Sequence, residues 1–210
     1  MIDLIVVRHG ETDWNRIRRL QGHTDIPLNA SGIEQASRLQ AALADEVIEA
    51  IHASDLSRAM ATAEPAARAL KLPIQRSVLL RERNYGMLEG KTFPEILEQH
   101  SEEAERLRTR DAVHTMRGGE SQQTFHRRVI DAVSRIARAE TEAAASRGSG
   151  RPTILIVTHG GVLDMLHRAA TGLALDAERS CPIPNAVINR LTYDDGRFAV
   201  RSWAEETDPA

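Results

Sequence analysis

The chain has 210 residues, enough for one domain, or one domain with a small cap, to bury a core without disulfides or metal. Its net charge of −3 comes from 27 Lys and Arg and 30 Asp and Glu that are interleaved along the chain, which argues against a nucleic-acid partner. The single cysteine, Cys181, excludes an intrachain disulfide, and the apolar run Leu4–Val7 is too short for a signal peptide or a membrane span. We therefore expect a cytoplasmic protein with no membrane partner.

The first half of the chain alternates between strand-like and helix-like segments separated by turn residues. In chain order, the predicted elements are a buried strand at Ile2–Val7, a loop to Asn29, a helix opened by a capping box at Ser31 and Glu34 and continuing to Leu43, a strand at Ala50–Ala53, a helix capped by Asp55 or Ser57 and ending near Leu70, and a strand ending at Leu79 and Leu80.

The second half begins with a charged region and ends with a hairpin pattern. Its predicted elements are a capping box at Thr92 and Glu95, a charged helical surface segment or lid at 95–110, a long helix opened by Ser121 that buries Phe125, Val129, Val133 and Ile136, a loop at 147–152, a strand at Thr153–Val157, a helix from Gly160 to Ala170, and a β-hairpin of Ala186–Tyr193 and Phe198–Trp203 around the turn 194–196. We expect a single α/β domain, 1–210. It should have three layers, with a mostly parallel sheet flanked by helices, an antiparallel edge hairpin and a small helical cap at 84–121.

A histidine follows a predicted buried strand at two places. Residues 5–10 read Ile-Val-Val-Arg-His-Gly, and residues 156–161 read Ile-Val-Thr-His-Gly-Gly. Because ligands of open α/β sheets bind beyond the carboxyl ends of the strands, we expect His9 and His159 to share a site. Gly160 and Gly161 stand at a predicted helix N-terminus, whose free N–H groups favour an anion. The other six histidines lack this context, and we expect them to be structural or surface residues, His23 least clearly so.

Arg8 favours an anion over a metal ion at this site. A guanidinium group matches the oxygens of a phosphate, whereas a cation beside two histidines would weaken metal binding. A two-histidine metal site is the competing interpretation, but no carboxylate or cysteine stands at a matching strand end. Arg58 lies near the start of a predicted helix after the strand at Ala50–Ala53, although alone it would be read as a surface arginine.

Together these segments resemble the histidine phosphatase family, also called the phosphoglycerate-mutase-like family. The most specific match is Arg8-His9-Gly10-Glu11-Thr12 after a buried strand, and the resemblance covers nearly the whole chain in the right order. The other matching segments are Trp14-Asn15, the stretch 21–28 (Gln-Gly-His-Thr-Asp-Ile-Pro-Leu), Ser54–Arg58, the stretch 81–86 (Arg-Glu-Arg-Asn-Tyr-Gly), Gly119-Glu120-Ser121 and Thr158-His159-Gly160.

The resemblance implies a role for each matched residue. His9 would be the nucleophile that becomes a phosphohistidine, and Glu82 would donate a proton to the leaving oxygen. The resemblance also implies that a set of groups binds the phosphoryl group. They are Arg8, Asn15, Gln21, Gly22, Arg58, His159 and the N–H group of Gly160. The stretch around Glu120 and Ser121 lies near the pocket in relatives, although Ser121 is equally well explained as a helix N-cap. From the residues alone, Glu82 would instead be a surface carboxylate paired with Arg81 or Arg83.

These residue types suit phosphoryl transfer from a monoester dianion. A neutral imidazole is not repelled by its roughly two negative charges. Two arginines and a protonated His159 would stabilise the transferring group. We expect no metal ion and no cofactor, since the sequence offers neither a carboxylate cluster for Mg²⁺ nor a Walker loop.

The predicted function is a metal-independent phosphomonoesterase of the histidine acid type, acting on a small phosphorylated metabolite. Two alternatives stay open. A cofactor-dependent phosphoglycerate mutase is less favoured because only about thirty residues separate Gly90 from Gly119, and because the stretch 21–25 looks more like the phosphatase branch. A catalytically inactive binding protein is disfavoured because the residues central to the reaction are all present, namely Arg8, His9, Arg58, Glu82 and His159. A homodimer through the hairpin edge is a further open expectation.

Overall fold

Six strands form one mixed sheet in the computed structural model, which describes residues 1–207; residues 208–210 of the predicted domain lie outside that range. The strands are β1 (Ile2–Arg8), β2 (Ala50–Ser54), β3 (Ile74–Ser77), β4 (Thr153–Thr158), β5 (Ile188–Asp194) and β6 (Arg197–Glu205). They lie in the order β3-β2-β4-β1-β5-β6, with β1 to β4 parallel and the β5–β6 hairpin antiparallel at one edge. The predicted sheet is therefore confirmed.

Helices cover both faces of this sheet. They are α1 (Asp13–Arg16), α2 (Ala30–Ala42), α3 (Ser57–Leu70), α4 (Phe93–Gln99), α5 (Ser101–Arg108), α6 (Gln122–Ser146) and α7 (Gly160–Thr171). Because successive strand residues face opposite sides, Ile5 and Val7 of β1 pack with α2 and α3, whereas Leu4 and Val6 pack with α6 and α7. This confirms the three-layer α/β arrangement. Within residues 1–207, no helix is both long and apolar enough to cross a membrane.

Two predicted element ends and one predicted loop differ from the structure. Helix α2 is capped by Asn29, whose side-chain oxygen accepts from the N–H of Gly32, so the predicted cap Ser31 lies inside the first turn. Strand β3 ends at Ser77, and Val78–Leu80 forms a 3₁₀ turn rather than the end of a strand. The predicted loop to Asn29 contains the four-residue helix α1.

Neither predicted cap of α3 acts as one. The carboxylate of Asp55 accepts from the guanidinium of Arg81, with Nε at 2.7 Å. The hydroxyl of Ser57 donates to Asp25 at 2.7 Å. Both side chains instead tie the start of α3 to segments that surround the strand ends.

The predicted cap segment, 84–121, has a small core of its own. Helix α4 begins at the predicted capping box of Thr92 and Glu95, and a break at His100 separates it from α5, so the predicted helical stretch at 95–110 is two helices. The buried apolar side chains of this core are Leu88, Ile96, Ala104 and Met116.

The two ends of the cap segment are joined by backbone hydrogen bonds. The N–H of Glu120 donates to the carbonyl of Asn84 at 3.0 Å, and the N–H of Met87 donates to the carbonyl of Arg117 at 3.0 Å. Gly86 has a φ of +52°, and a Cβ there would lie 2.3 Å from the carbonyl oxygen of Arg117. Glycine is therefore needed where the cap leaves and rejoins the sheet domain.

Candidate active site

The paired strands β1 and β4 bring the two strand-end histidines together. The strands are parallel with Arg8 opposite Thr158, and the N–H of His9 donates to the carbonyl of Thr158 at 2.8 Å. One residue further along each strand, the rings of His9 and His159 have their centroids 5.2 Å apart. The two residues are 3% and 0% exposed. The imidazoles that the sequence predicts at one site are therefore neighbours below the surface.

The ring of His9 is held in one tautomer. Its Nδ1 lies 2.7 Å from the carbonyl oxygen of Gly10, and since a carbonyl oxygen only accepts, Nδ1 carries the hydrogen. Burial lowers the pKa of His9 well below its usual value, and the guanidiniums of Arg58 and Arg8 lower it further. At neutral pH the ring therefore presents an unprotonated Nε2, which is the form that acts as a nucleophile.

Arg58 is fully buried and held by the loop that follows α1. Its Nη1 donates to the carbonyl of Thr24 at 2.9 Å and its Nη2 to the carbonyl of Gly22 at 2.8 Å, while its Nε is buried without a hydrogen-bond partner. Burial lowers the pKa of Arg58 to about 10, so the side chain stays cationic at neutral pH. An oriented buried cation with an uncommitted donor is well suited to an anionic ligand.

Two more buried donors beside His9 have no partner. Arg8 directs Nη1 to the carbonyl of Ile183 at 2.8 Å, but its Nε is unpaired. His159 has Nε2 2.8 Å from the hydroxyl of Ser54, and its Nδ1 is unpaired. Because Ser54 can donate to Nε2, the hydrogen of His159 can stay on Nδ1. Buried polar atoms are normally paired, so three unpaired nitrogens on groups around one imidazole indicate an anion site.

The protonated His159 expected from the sequence is not favoured in this environment. Burial lowers the pKa of His159 well below its usual value, and the nearby Arg58 adds to the effect. A neutral ring still donates through Nδ1–H. Contact between His159 and a phosphoryl group therefore does not require a positive imidazolium.

Most of these groups line a cavity of about 120 Å³ beyond the strand ends, but His159 and Gly160, which the sequence also predicts at the site, are not among its lining residues. The predicted residues that line it are Arg8, His9, Asn15, Gln21, Gly22, Arg58 and Glu82. Arg19, Leu20 and Tyr85 also line it, although the sequence assigns no role to any of the three. Gly160 lies against the guanidinium of Arg8, where an added Cβ would be 3.4 Å from Nε.

The amide of Asn15 is oriented by the capping box of α1. Its Oδ1 accepts from the N–H of Thr12 at 3.1 Å, and its own N–H donates to the hydroxyl of Thr12 at 3.2 Å. Because Oδ1 already accepts hydrogen bonds, the NH₂ group of the amide is the part that can donate a hydrogen bond to an anion in the cavity. Gln21 is 7% exposed and has an unpaired Oε1, so its amide is likewise uncommitted on the cavity wall.

Glu82 is held by backbone N–H groups. Its Oε1 accepts from the N–H of Arg83 at 2.7 Å, and its Oε2 accepts from the N–H of Gly161 at 2.9 Å in the first turn of α7. A Cβ at position 161 would lie 2.0 Å from Oε1 of Glu82. The second glycine after His159 is therefore a positioning residue for this carboxylate, a role the sequence analysis did not assign to it.

The arginines on either side of Glu82 are engaged elsewhere. Arg81 pairs with Asp55, and Arg83 directs its Nε to the carbonyl of Glu120 at 3.1 Å. The surface ion pair considered for Glu82 is therefore not what the structure shows. His23 contributes to this loop as well, with its Nε2 3.0 Å from the carbonyl oxygen of Glu82.

Glu120 and Ser121 have structural contacts. Glu120 forms an ion pair with Arg128 and accepts from the N–H of Asn84 at 2.9 Å. Ser121 accepts from the N–H of Thr124 at 3.0 Å, which confirms its interpretation as the N-cap of α6. Neither residue lines the cavity that contains His9.

Glu89, to which the sequence assigns no role, joins the loop at 22–24 to the start of the cap segment. Its Oε1 accepts from the N–H groups of His23 at 2.8 Å and Tyr85 at 3.1 Å. Its Oε2 accepts from the N–H of Thr24 at 2.8 Å and from the Thr24 hydroxyl at 2.6 Å. Gly22, with a φ of +55°, leaves room for this carboxylate, since a Cβ there would lie 2.0 Å from Oε1. One side chain thus fixes the loop whose carbonyls orient Arg58.

Comparison with known proteins identifies the family. The model of the histidine phosphatase superfamily (branch 1) matches residues 4–206, so the chain belongs to this superfamily. Within residues 1–207, no group of three or more His, Cys, Asp or Glu side chains is arranged to hold a metal ion.

The similar proteins carry both mutase and phosphatase names. A protein of Proteus mirabilis (strain HI4320) named "Probable phosphoglycerate mutase GpmB" is 34% identical over 209 residues, covering 99% of this chain and 92% of that protein. The structure of Bacillus stearothermophilus YhfR has a TM-score of 0.86 and 32% identity, covering 98% of both chains. The mycobacterial glucosyl-3-phosphoglycerate phosphatase, solved with VO3, has a TM-score of 0.84 and 27% identity, covering 98% of this chain and 100% of that one.

The lowered pKa values of His9 and His159 predict a loss of stability in mild acid. In the unfolded chain both rings titrate near pH 6.5, so below that pH the unfolded state binds protons that the folded state does not. Each ring then lowers the free energy of unfolding by up to about 1.4 kcal/mol per pH unit until its folded-state pKa is reached. Urea denaturation at pH 7.5, 6.5 and 5.5 measures the slope of the free energy of unfolding against pH. His159→Asn should flatten it between pH 6.5 and 5.5, and an unchanged slope would contradict the lowered pKa of His159.

Glu89→Gln should weaken anion binding at the site. The new amide places a donor opposite the two donors of Thr24, which loosens the loop that orients Arg58. We expect a loss of about 1–3 kcal/mol in the free energy of unfolding, and roughly tenfold weaker binding of inorganic phosphate by calorimetry well below the melting temperature. Glu98→Gln, on the exposed face of α4, is the matched control. Equal phosphate affinity in both variants would show that Glu89 does not position the site.

Proposed function

We propose that the protein is a phosphomonoesterase that transfers the phosphoryl group of a small phosphorylated metabolite to Nε2 of His9 and then to water. One observation carries the proposal: a buried, neutral imidazole with a free Nε2 lies beside unpaired donors of Arg8, Arg58 and His159. Membership of the histidine phosphatase superfamily and the likeness to a mycobacterial phosphatase support it.

In the first proposed step, Nε2 of His9 attacks phosphorus while the bond to the ester oxygen breaks. Arg8 and Arg58 neutralise the charge on the phosphoryl oxygens, and the Nδ1–H of His159 adds a hydrogen bond. The hydrogen bond from Nδ1 of His9 to Gly10 stabilises the positive charge that develops on the attacking ring. Because two guanidiniums supply the neutralising charge, we propose that the reaction needs no metal ion.

Glu82 is the proposed proton donor to the leaving oxygen. Its two backbone hydrogen bonds fix the carboxyl group on the wall of the same cavity as His9. A proton on this group removes its repulsion with the phosphoryl dianion and is then delivered to the alcohol. In the second step the carboxylate accepts a proton from water, which attacks the phosphohistidine and restores free His9.

Replacing the nucleophile should abolish the covalent intermediate. His9→Ala should lower kcat by at least about 1000-fold and eliminate acid-labile, base-stable phosphate labelling of the protein. The check is rapid quenching with a ³²P-labelled ester, followed by gel analysis under alkaline conditions. His100→Ala, which removes a cap histidine outside the cavity, should still be labelled. Persistent labelling of His9→Ala would rule out the role proposed for His9.

Glu82→Gln should affect esters according to their leaving groups. An alkyl phosphate needs a proton on its departing oxygen, whereas p-nitrophenolate departs without one. We therefore expect kcat to fall by about 100-fold or more for an alkyl ester and by less than about tenfold for p-nitrophenyl phosphate. Measuring kcat for both esters over the same pH range tests this difference. Equal slowing of the two would argue that Glu82 acts on binding rather than as the acid.

Phosphoglycerate mutase is the second candidate, favoured by the name of the relative from Proteus mirabilis. Both activities would use phospho-His9, and they differ in whether water or a second hydroxyl group accepts the phosphoryl group. Assay of 3-phosphoglycerate with and without 2,3-bisphosphoglycerate, followed by ³¹P NMR, separates them. We expect release of inorganic phosphate; bisphosphate-dependent formation of 2-phosphoglycerate at a higher rate would establish the mutase instead.

A further inference from the structure

The peptide group that joins His9 to Gly10 is held from both sides by side chains that take no part in the proposed steps. The carbonyl of His9 accepts from Nδ2 of Asn185 at 2.7 Å, and the N–H of Gly10 donates to Oγ1 of Thr62 at 2.9 Å. Thr62 belongs to α3, and Asn185 lies in the loop between α7 and β5. Two distant parts of the chain therefore fix one peptide plane directly beside the nucleophile.

The position of the Gly10 carbonyl determines which ring nitrogen of His9 is free, because this oxygen accepts from Nδ1 at 2.7 Å. A glycine backbone rotates more freely than any other, so its carbonyl stays in place only if its neighbours are held. No stiffer residue fits, since a Cβ at position 10 would lie 2.6 Å from the carbonyl oxygen of Gly32. The next peptide is held by Gln35, whose Oε1 accepts from the N–H of Glu11 at 2.8 Å. Hydrogen bonds from other elements thus supply the rigidity that glycine lacks.

Thr62 connects the nucleophile to the main buried cation. Its side chain is fully buried, and its hydroxyl donates to the carbonyl of Arg58 at 2.7 Å, since a carbonyl oxygen only accepts. The same oxygen atom remains able to accept from the N–H of Gly10. One hydroxyl group therefore ties the first turn of α3, which carries Arg58, to the peptide that follows His9.

The loop that carries Asn185 is itself bound to the end of β1. The N–H of Ala186 donates to the carbonyl of Arg8 at 2.9 Å, and the carbonyl of Ile183 accepts from Nη1 of Arg8 at 2.8 Å. Ala186 has a φ of +54°, a conformation that residues other than glycine rarely adopt. These contacts fix the direction from which the amide of Asn185 reaches the carbonyl of His9.

We propose that Thr62 and Asn185 are positioning residues for the nucleophile, which hold the His9–Gly10 peptide so that the Gly10 carbonyl keeps the hydrogen on Nδ1 and leaves Nε2 bare. The catalytic consequence rests on the phosphatase function proposed above. Without these two hydrogen bonds the Gly10 carbonyl turns away from the ring, and the neutral imidazole also populates the tautomer with its hydrogen on Nε2. In that form Nε2 has no lone pair to attack phosphorus.

The tautomer of His9 is measured directly by long-range ¹⁵N–¹H NMR of protein labelled with ¹⁵N-histidine at neutral pH, with His9 assigned by its loss in His9→Gln. The wild-type ring should carry its hydrogen on Nδ1 alone. Thr62→Val, which keeps the shape of the side chain but removes the hydroxyl, should place about 10% or more of the molecules in the Nε2–H tautomer. Thr62→Ser, which keeps the hydroxyl, should give the wild-type spectrum.

Thr141→Val is the matched control. The hydroxyl of Thr141 donates to the carbonyl of Ala137 at 2.7 Å, the same bond to a carbonyl four residues back, but it lies on α6 outside the cavity of His9. This variant should leave the His9 resonances unchanged. Asn185→Ala changes a half-buried loop residue and therefore decides the question if Thr62→Val does not fold. It should also shift His9 towards the Nε2–H tautomer.

Kinetics with p-nitrophenyl phosphate test the consequence for catalysis. In Thr62→Val we expect kcat to fall about tenfold or more and KM to change less than about threefold, because fewer molecules present a bare Nε2. The carbonyls of Gly22 and Thr24 still hold the guanidinium of Arg58, so phosphate binding should be largely kept. Thr62→Ser should restore kcat.

Three results would overturn the proposal. They are a hydrogen on Nε2 in the wild-type protein, a wild-type His9 spectrum in Asn185→Ala and in folded Thr62→Val, and equal changes in Thr62→Ser and Thr62→Val, which would trace the effect to packing rather than to the hydroxyl. If the wild-type protein hydrolyses no ester and forms no phosphoenzyme, the phosphatase function fails instead. The tautomer spectra need no turnover and still decide whether Thr62 and Asn185 position His9.

Discussion

The parallel pairing of β1 with β4 is the constraint on which the site depends. Arg8 is opposite Thr158, so the two strands end at the same level and their next residues, His9 and His159, become neighbours. A slip of one residue would shift one imidazole by about 3.3 Å and exchange the faces of every side chain on that strand. Leu4 and Val6 pack in one apolar core and Ile5 and Val7 in the other, so such a slip would disrupt side-chain packing on both faces of the sheet.

The chemistry of the site follows from placing cations where water cannot reach them. Desolvation keeps His9 and His159 neutral and leaves nitrogens of Arg8 and Arg58 unpaired. Such an arrangement destabilises the folded protein unless the surroundings hold it in place. Here the carbonyls of Gly22 and Thr24 hold Arg58, and Glu89 holds those carbonyls, so the loops act as a rigid frame for the cations.

The sequence predicts the sheet and the strand-end histidines because both arise from local patterns. Apolar runs such as 153–157, the hairpin turn at 194–196 and the N-cap Ser121 carry enough information by themselves. The helix caps of α2 and α3 were predicted wrongly, because Ser31, Asp55 and Ser57 are equally good caps by residue type and their tertiary partners decide. The resemblance, not the pattern, suggested a role for Arg58 and Glu82.

Other features could not be read from the sequence at all. Glu89 meets Thr24, 65 residues away, only after the cap has folded onto the sheet domain. A second cavity likewise brings Arg83 together with Arg110 from the cap segment and Arg179 from the loop after α7, and the sequence gives no sign that these three arginines meet. Positions of this kind depend on where loops meet, for which periodicity and capping rules carry no information.

The arginines Arg83, Arg110 and Arg179 beside the cap bear on the choice between hydrolysis and transfer in the proposed reaction. A mutase must keep its alcohol product beside the phosphohistidine until a second hydroxyl group attacks, whereas a phosphatase must release it and admit water. Arginines that hold an anionic product prolong its stay, and screening by solvent shortens it. In this protein Asp164 contacts the guanidiniums of Arg110, Arg168 and Arg179, and the side chain of Arg179 is 45% exposed. In the proposed reaction, the phosphoryl step would take place at the ends of β1 and β4, and the arginines beside the cap would govern how long the product alcohol stays near the phosphohistidine.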